Sequence, residues 1–365
     1  MRQGSELRRT GGGLGGSSSR PGFWQTTEMD PVMSLLRRIG VDTYMLLLFA
    51  TVGLGLLLPA QGLAATSLKH LTYWAVSLLF FLYGAKLDPK AVRAGITNWR
   101  IQGMTFAATY LMFPLLGFAL AWIFGPLLGA KLSLGLLFLA VLPSTVQSSI
   151  AFTSIAGGNV AAAICAASVS NLVGVVLTPA MVAFLLHQGD GGVSLDSVIK
   201  IGTQILLPFV IGQIARPWVG AFVQKHKTLT MVVDRGSILL IIYAAFSRST
   251  VTGLWGAIPV SSLLMLILVV LVFLAIIMGL IAGAGRVFRL NAPDRAALFY
   301  CGSTKSLASG LPIATALFAA DKVGAIVLPL LVYHMSQLLV CAYISQKAAH
   351  ALRAPQERAV TSGAG

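Results

Sequence analysis

The chain has 365 residues, 56% of them hydrophobic and only 10% charged, with a formal net charge of +15. Soluble domains carry about a quarter charged residues, so the composition excludes a soluble globule and defines an integral membrane protein. The basic excess is spread over many short loops rather than one patch, which argues against nucleic acid as the partner.

Residues 1–34 read as a disordered N-terminal tail. Its first thirty residues are rich in Gly, Ser and Arg, with almost nothing to bury and no apolar centre of a secretion signal. Ten apolar spans follow, near 42–60, 67–86, 98–124, 131–156, 159–187, 196–216, 229–248, 258–285, 294–319 and 322–346. Runs of about 20 apolar residues cross a bilayer as helices, and the alternation of a membrane β-barrel is absent. Short joins between spans three, four and five, and between nine and ten, force antiparallel hairpins. Residues 351–365 read as a C-terminal tail. Cys165, Cys301 and Cys341 all fall inside spans, where small-residue packing is the plain reading.

Loop charge gives an orientation. With ten spans, the side holding both termini carries 20 of the 26 Lys and Arg residues, and the opposite side carries 5. This bias predicts that both termini are cytoplasmic. The two halves of the chain also resemble each other. LLFFLYGA at Leu78 matches ILLIIYAA at Ile238, and TSIAGGNVAAAI at Thr153 matches ALFAADKVGAI at Ala316. Five spans per half is an odd number, so the second copy enters the membrane upside down, which predicts an inverted repeat.

Span four contains PSTVQSSIAFTS (Pro143 to Ser154) and span nine contains CGSTKSLASGLP (Cys301 to Pro312), at corresponding places in the two halves. Proline removes a backbone donor and disfavours helix at the residue before it. Two discontinuous helices at equivalent positions are the best sequence pointer to a transport site, because unwound backbone and half-helix ends can hold ions. A single such segment would read as a kinked helix with hydroxyls bonded to its own carbonyls. Two symmetric segments with a lysine do not. The candidate substrate- or ion-binding residues are therefore Ser144, Thr145, Gln147, Ser148 and Ser149 in span four, with Gly302, Ser303, Thr304, Lys305 and Ser306 in span nine. Ser168 and Asn171 in span five, and His334 and Gln337 in span ten, are lesser candidates for the same cavity. Interhelical bonding is the commoner use of such side chains.

Lys305 is the only basic residue outside the loops and span ends. A cation at that depth costs at least ~2.5–3.5 kcal/mol, so a functional role is the default. All eleven carboxylates read as lying in tails, loops or span ends. Lys305 is then uncharged, hydrated in a cavity, or paired with a substrate anion. HExxH, Walker-type GxxxxGK[ST] and GxSG patterns are absent, so the sequence shows no apparatus for an enzyme or an ATP-driven pump.

These features resemble the bile acid:sodium symporter superfamily, and within it the SBF-like branch. The resemblance covers roughly residues 35–350 and is most specific at LPSTVQSSIAFTSIAGGNVAAAI and FYCGSTKSLASGLP. It implies an all-α polytopic fold with discontinuous helices 4 and 9 crossing. A core domain of helices 3–5 and 8–10 would work against a panel domain of helices 1, 2, 6 and 7, with an organic anion bound between them. It also exposes a departure. The better-known bile acid carriers have an E-x-G-x-Q-N-S string that serves two sodium sites. Here Tyr300 falls at the Glu, Thr304 at the Gln and Lys305 at the Asn, and the span-five hydroxyls of that family fall near Ala163 and Ala167. The Lys305 ammonium is expected to stand in for a sodium ion.

The resulting expectation is a secondary active transporter of a bile-acid-like or smaller organic anion, in a bacterial inner membrane, as a monomer or homodimer. It has no cofactor and couples to Na⁺ or H⁺, or to neither. The alternatives are an ion or proton exchanger titrating Lys305, or a non-transporting membrane regulator.

Overall fold

The computed structural model describes residues 43–86, 99–186 and 202–362. The tail expected at 1–34 and the loops at 87–98 and 187–201 lie outside the described residues. Among the described residues the chain is all-helical. The helices are α1 (Thr43–Leu57), α2 (Gly62–Lys86), α3 (Trp99–Leu128), α4 (Ala130–Ala140), α5 (Gln147–Ile155) and α6 (Val160–Leu186). The second half holds α7 (Gly202–Lys225), α8 (Lys227–Val251), α9 (Val260–Val287), α10 (Ala292–Ser303), α11 (Leu307–Leu317) and α12 (Val323–Ser362). α12 runs as helix through most of the stretch that the sequence assigns to a C-terminal tail.

Among the described residues six helices are long and apolar enough to cross a membrane: α3, α6, α7, α8, α9 and α12. That is fewer than the ten spans read from the sequence, for two physical reasons. Span four is divided into α4 and α5, and span nine into α10 and α11, so neither half reaches spanning length. α1 is short, and α2 carries Lys69, His70 and several hydroxyls that dilute its apolar character.

The interruptions follow from the residues. α4 stops at Ala140 and helix resumes at Gln147, with Pro143 between them unable to donate to the preceding turn. α10 starts cleanly, because the Asn291 side chain accepts from the Asp294 N–H at 2.8 Å and Pro293 occupies the first turn. It ends where Thr304 turns extended, and α11 starts after Ser306, whose side chain accepts from the Ser309 N–H at 3.1 Å. α3 carries a π-helical turn at Ala108–Met112, in which the Phe113 N–H reaches back to the Ala108 carbonyl.

Two sets of contacts dominate the packing. α2 lies along α7, and α1 and α2 lie on α8. Gly84 and Gly212 let α2 and α7 touch backbone to backbone: a Cβ on Gly84 would sit 2.1 Å from the Phe209 carbonyl oxygen, and one on Gly212 would sit 2.0 Å from that of Phe81. In the other set, α4 packs on α3 and α12, α9 on α3, α10 and α12, and α10 on α5 and α6. α8 reaches across from the first set to α11 and α12.

Candidate functional site

The two interruptions meet. The backbone N–H of Ser306 donates to the Pro143 carbonyl at 2.9 Å, and the Ser144 hydroxyl donates to the Cys301 carbonyl at 2.5 Å. Thr304 Oγ1 lies 2.8 Å from Ser149 Oγ and 3.3 Å from Ser144 Oγ. Asn171 on α6 ties both breaks together, donating to the Ser144 carbonyl at 2.6 Å and accepting from the Ser309 hydroxyl at 2.7 Å. Main-chain groups left over by unwinding are thereby satisfied away from water, as the membrane interior demands.

Lys305 is fully buried behind this junction. Its Nζ donates to the carbonyls of Thr109 at 3.0 Å, Ala140 at 2.9 Å and Leu142 at 2.5 Å, and lies 4.0 Å from the centroid of the Phe113 ring. An ammonium has three donors, and three acceptors face it, so the cradle matches the charged form. The sequence frees two of these acceptors. Thr109 O would be taken by the N–H four residues on, but Phe113 bonds Ala108 in the π register, and in that register the next donor is Pro114, which has none. Ala140 O loses its α-helical partner because the Ser144 N–H donates to Ser170 Oγ at 3.0 Å instead. The Ala140 and Leu142 carbonyls, at and just past the negative C-terminal end of α4, therefore converge with that of Thr109 in α3 on one cation. The Lys305 backbone is held by Gln337, whose Oε1 accepts its N–H at 2.8 Å and whose Nε2 donates to its carbonyl at 2.9 Å.

On the opposite side of the junction lies a cavity of about 610 Å³ between the two packing sets. Its wall is formed by Tyr44, Met45, Tyr83, Phe209, Asp234, Arg235 and Ile238 from α1, α2, α7 and α8, facing residues of α5, α6, α11 and α12. The first turns of α5 and α11 line it through Thr145 to Ser148 and Ser306 to Ser309. α5 has no side-chain N-cap and its first turn lines the cavity, which puts the partial positive charge of its N-terminus at that wall. Among the cavity-lining side chains, Lys86 and Asp234 form an ion pair, while the Arg235 guanidinium stacks 4.8 Å over the Tyr44 ring. The remaining formal charge of the wall is positive.

The predicted residues divide into two groups. Thr145, Gln147, Ser148, Ser168, Asn171, Ser306 and His334 line the cavity. Ser144, Ser149, Gly302, Ser303, Thr304, Lys305 and Gln337 are buried behind it and build the junction and the cradle. Lys305 is thus neither hydrated in the cavity nor placed to meet a substrate there. The reading that no carboxylate lies away from span ends is also corrected: Asp234 is 6% exposed, sits two turns into α8 and lines the cavity. Asp234 falls inside the apolar span 229–248, and the structure turns its side chain toward Lys86.

Two helix sets around a cavity, with two interrupted helices bonded together at its floor, are the architecture of a membrane transporter. The comparisons agree. The chain belongs to the SBF-like CPA transporter family, whose sequence pattern matches residues 42–350. It is 47% identical over 307 residues to the uncharacterized protein PA2026 of Pseudomonas aeruginosa and 42% identical over 307 residues to YfeH of Escherichia coli. In both cases 84% of this chain and 92% of the relative are covered. Sodium/bile acid cotransporter 7 of Mus musculus is 27% identical over 318 residues, with 84% and 92% covered. The protein is an integral membrane transporter of the bile acid:sodium symporter superfamily, and not an enzyme.

Proposed function

We propose that the chain is a secondary active transporter of an organic anion, working by alternating access, in which the Lys305 ammonium holds the place of a sodium ion. The observation that carries this reading is the cradle of three carbonyls around Lys305 Nζ. Carbonyl oxygens at the ends of broken helices are what a transporter uses to coordinate Na⁺, and here a tethered cation satisfies them. Its charge offsets the C-terminal dipole of α4, leaving the N-terminal ends of α5 and α11 to act on the cavity. Those ends and Arg235 favour a carboxylate, sulfonate or sulfate, and the apolar stretches of wall favour an amphipathic body such as a bile acid.

In this reading the chain crosses the membrane ten times, α4 with α5 and α10 with α11 each counting as one interrupted crossing of an inverted five-helix repeat. α1, α2, α7 and α8 form the panel and the other helices the core. Loop charge puts the termini, Lys86 and Arg235 on the cytoplasmic side, so the cavity faces the cytoplasm, and similarity to bacterial relatives suits a bacterial inner membrane. Closure at the far end rests on Gly324 of α12, where a Cβ would meet Ser249 Oγ of α8 at 2.2 Å. An exchanger that titrates Lys305 is less well supported, because a proton would have to reach a nitrogen sealed from water and saturated with acceptors.

The test is uptake of radiolabelled taurocholate by proteoliposomes, with Na⁺ replaced by K⁺. Saturable uptake that does not depend on Na⁺ supports the proposal. Uptake abolished without Na⁺ contradicts the role given to Lys305, and the absence of saturable uptake or binding for any of a panel of organic anions contradicts anion transport.

A further inference from the structure

His334 is the titratable side chain that joins the cavity to the junction. It lines the cavity from α12 and is 8% exposed. Its Nδ1 lies 2.9 Å from Gln337 Nε2 and 3.3 Å from the Lys305 carbonyl oxygen. The orientation of the Gln337 amide is set by main chain: Oε1 must accept the Lys305 N–H, so Nε2 is the donor side. One Nε2 hydrogen goes to the Lys305 carbonyl and the other points at His334 Nδ1. That nitrogen is therefore an acceptor, and the neutral ring carries its proton on Nε2.

We propose that His334 is the proton-binding site of this carrier, and that the proton and the organic anion occupy the same cavity together. The proposal rests on the reading of the cavity as an anion site. The proton comes from cavity water and binds Nδ1. The ring, now a donor at both nitrogens, gives up the bond from Gln337 and turns its Nδ1–H to the Lys305 carbonyl. This places an imidazolium beside the leading ends of α5 and α11, where it draws in an anion; by linkage the anion raises proton affinity by the same factor. The charged and titratable groups facing it across the cavity are Lys86, Asp234 and Arg235, with Tyr44 and Tyr83, all from α1, α2 and α8. The linings contributed by α5, α6 and α11 hold no acidic or basic side chain. Lys86 and Asp234 engage each other, and His334 is the titratable group that lines the cavity and contacts the junction.

Two measurements decide this on the full-length protein. The first needs no substrate: ¹⁵N NMR of histidine-labelled protein in nanodiscs from pH 8 to pH 5, with His334→Gln identifying the resonance. The expected result is an Nε2–H tautomer at pH 8 that becomes doubly protonated on acidification. A ring that stays neutral throughout, or starts as the Nδ1–H tautomer, overturns the proposal. The second uses proteoliposomes loaded with a pH-sensitive dye and given external taurocholate. Internal acidification that accompanies uptake and falls at least tenfold in His334→Gln is expected. Taurocholate uptake without proton movement in the unaltered protein overturns the proposal while leaving anion transport standing. Absence of taurocholate uptake counts against the anion reading, and the NMR titration still decides His334.

Discussion

The backbone N–H of Ser306 donates to the carbonyl of Pro143 at 2.9 Å, so the two helix interruptions are joined main chain to main chain. Pro143→Ala restores a donor for the preceding turn and lets α4 continue into the junction. Helix continuation would redirect the Ala140 carbonyl to the Ser144 N–H and take it from Lys305. Taurocholate uptake is expected to fall at least about tenfold, a barrier change of roughly 1.4 kcal/mol, while the protein still purifies as a monodisperse species. Uptake at the unaltered rate would show that the break does not depend on this proline.

Phe113 offers the face of its ring to Lys305 Nζ at 4.0 Å from the centroid. Phe113→Leu keeps an apolar side chain but removes the quadrupole. A desolvated cation–π contact is worth about 2 kcal/mol, so thermal unfolding is expected to shift down by several degrees, with Phe113→Tyr nearer to the unaltered protein. Differential scanning fluorimetry in detergent reads this directly.

Arg235 is the cavity-lining cation left over once Lys86 is paired with Asp234. Arg235→Gln is expected to raise the KM for taurocholate about tenfold, roughly 1.4 kcal/mol of binding, with a smaller effect on kcat. Arg235→Lys should recover part of the loss. Equal KM values for all three proteins would remove Arg235 from anion recognition.

Much of this was legible in the sequence. Pro143 and the hydroxyl-rich strings around it and around Lys305 marked both interruptions, and the resemblance to the bile acid:sodium symporter superfamily implied that they cross. The side chains that face the cavity were harder to separate from those behind it. Gln147 and Ser148 line the cavity while Ser144 and Ser149 bond across to span nine, and where a helix restarts after a break the sequence does not show which face turns inward. Lys305 was found, but not its partners: three backbone carbonyls carry no residue-type signal, and the one on Thr109 is freed by a π-helical turn in span three, in the other half of the chain. Asp234 was missed for the opposite reason, since closeness to a loop in sequence hid an inward-facing position on α8.

At the end of α8 away from Lys86, the missing Cβ of Gly324 leaves room for Ser249, and in the alternating-access proposal this contact closes that end. Gly324→Val should wedge α12 from α8 and shift the population toward the opposite opening. In intact cells, a cysteine placed at Ser309 is expected to react with a membrane-impermeant maleimide at least about fivefold faster in the Gly324→Val background. A change of that size corresponds to roughly 1 kcal/mol between the two states. Unchanged labelling would mean that this contact does not gate access.

The central claim is that the Lys305 ammonium fills a cation site made of the Thr109, Ala140 and Leu142 carbonyls. The most direct measurement is the thermal stability of the unaltered protein and of Lys305→Ala, each in NaCl and in choline chloride at equal ionic strength. An ion at a hundred times its dissociation constant adds about 2.7 kcal/mol, which is a readable shift in Tm. The account predicts that Na⁺ raises the Tm of Lys305→Ala by several degrees and leaves the unaltered protein unmoved. Stabilisation of the unaltered protein by Na⁺, or a variant as indifferent to Na⁺ as its parent, would contradict it.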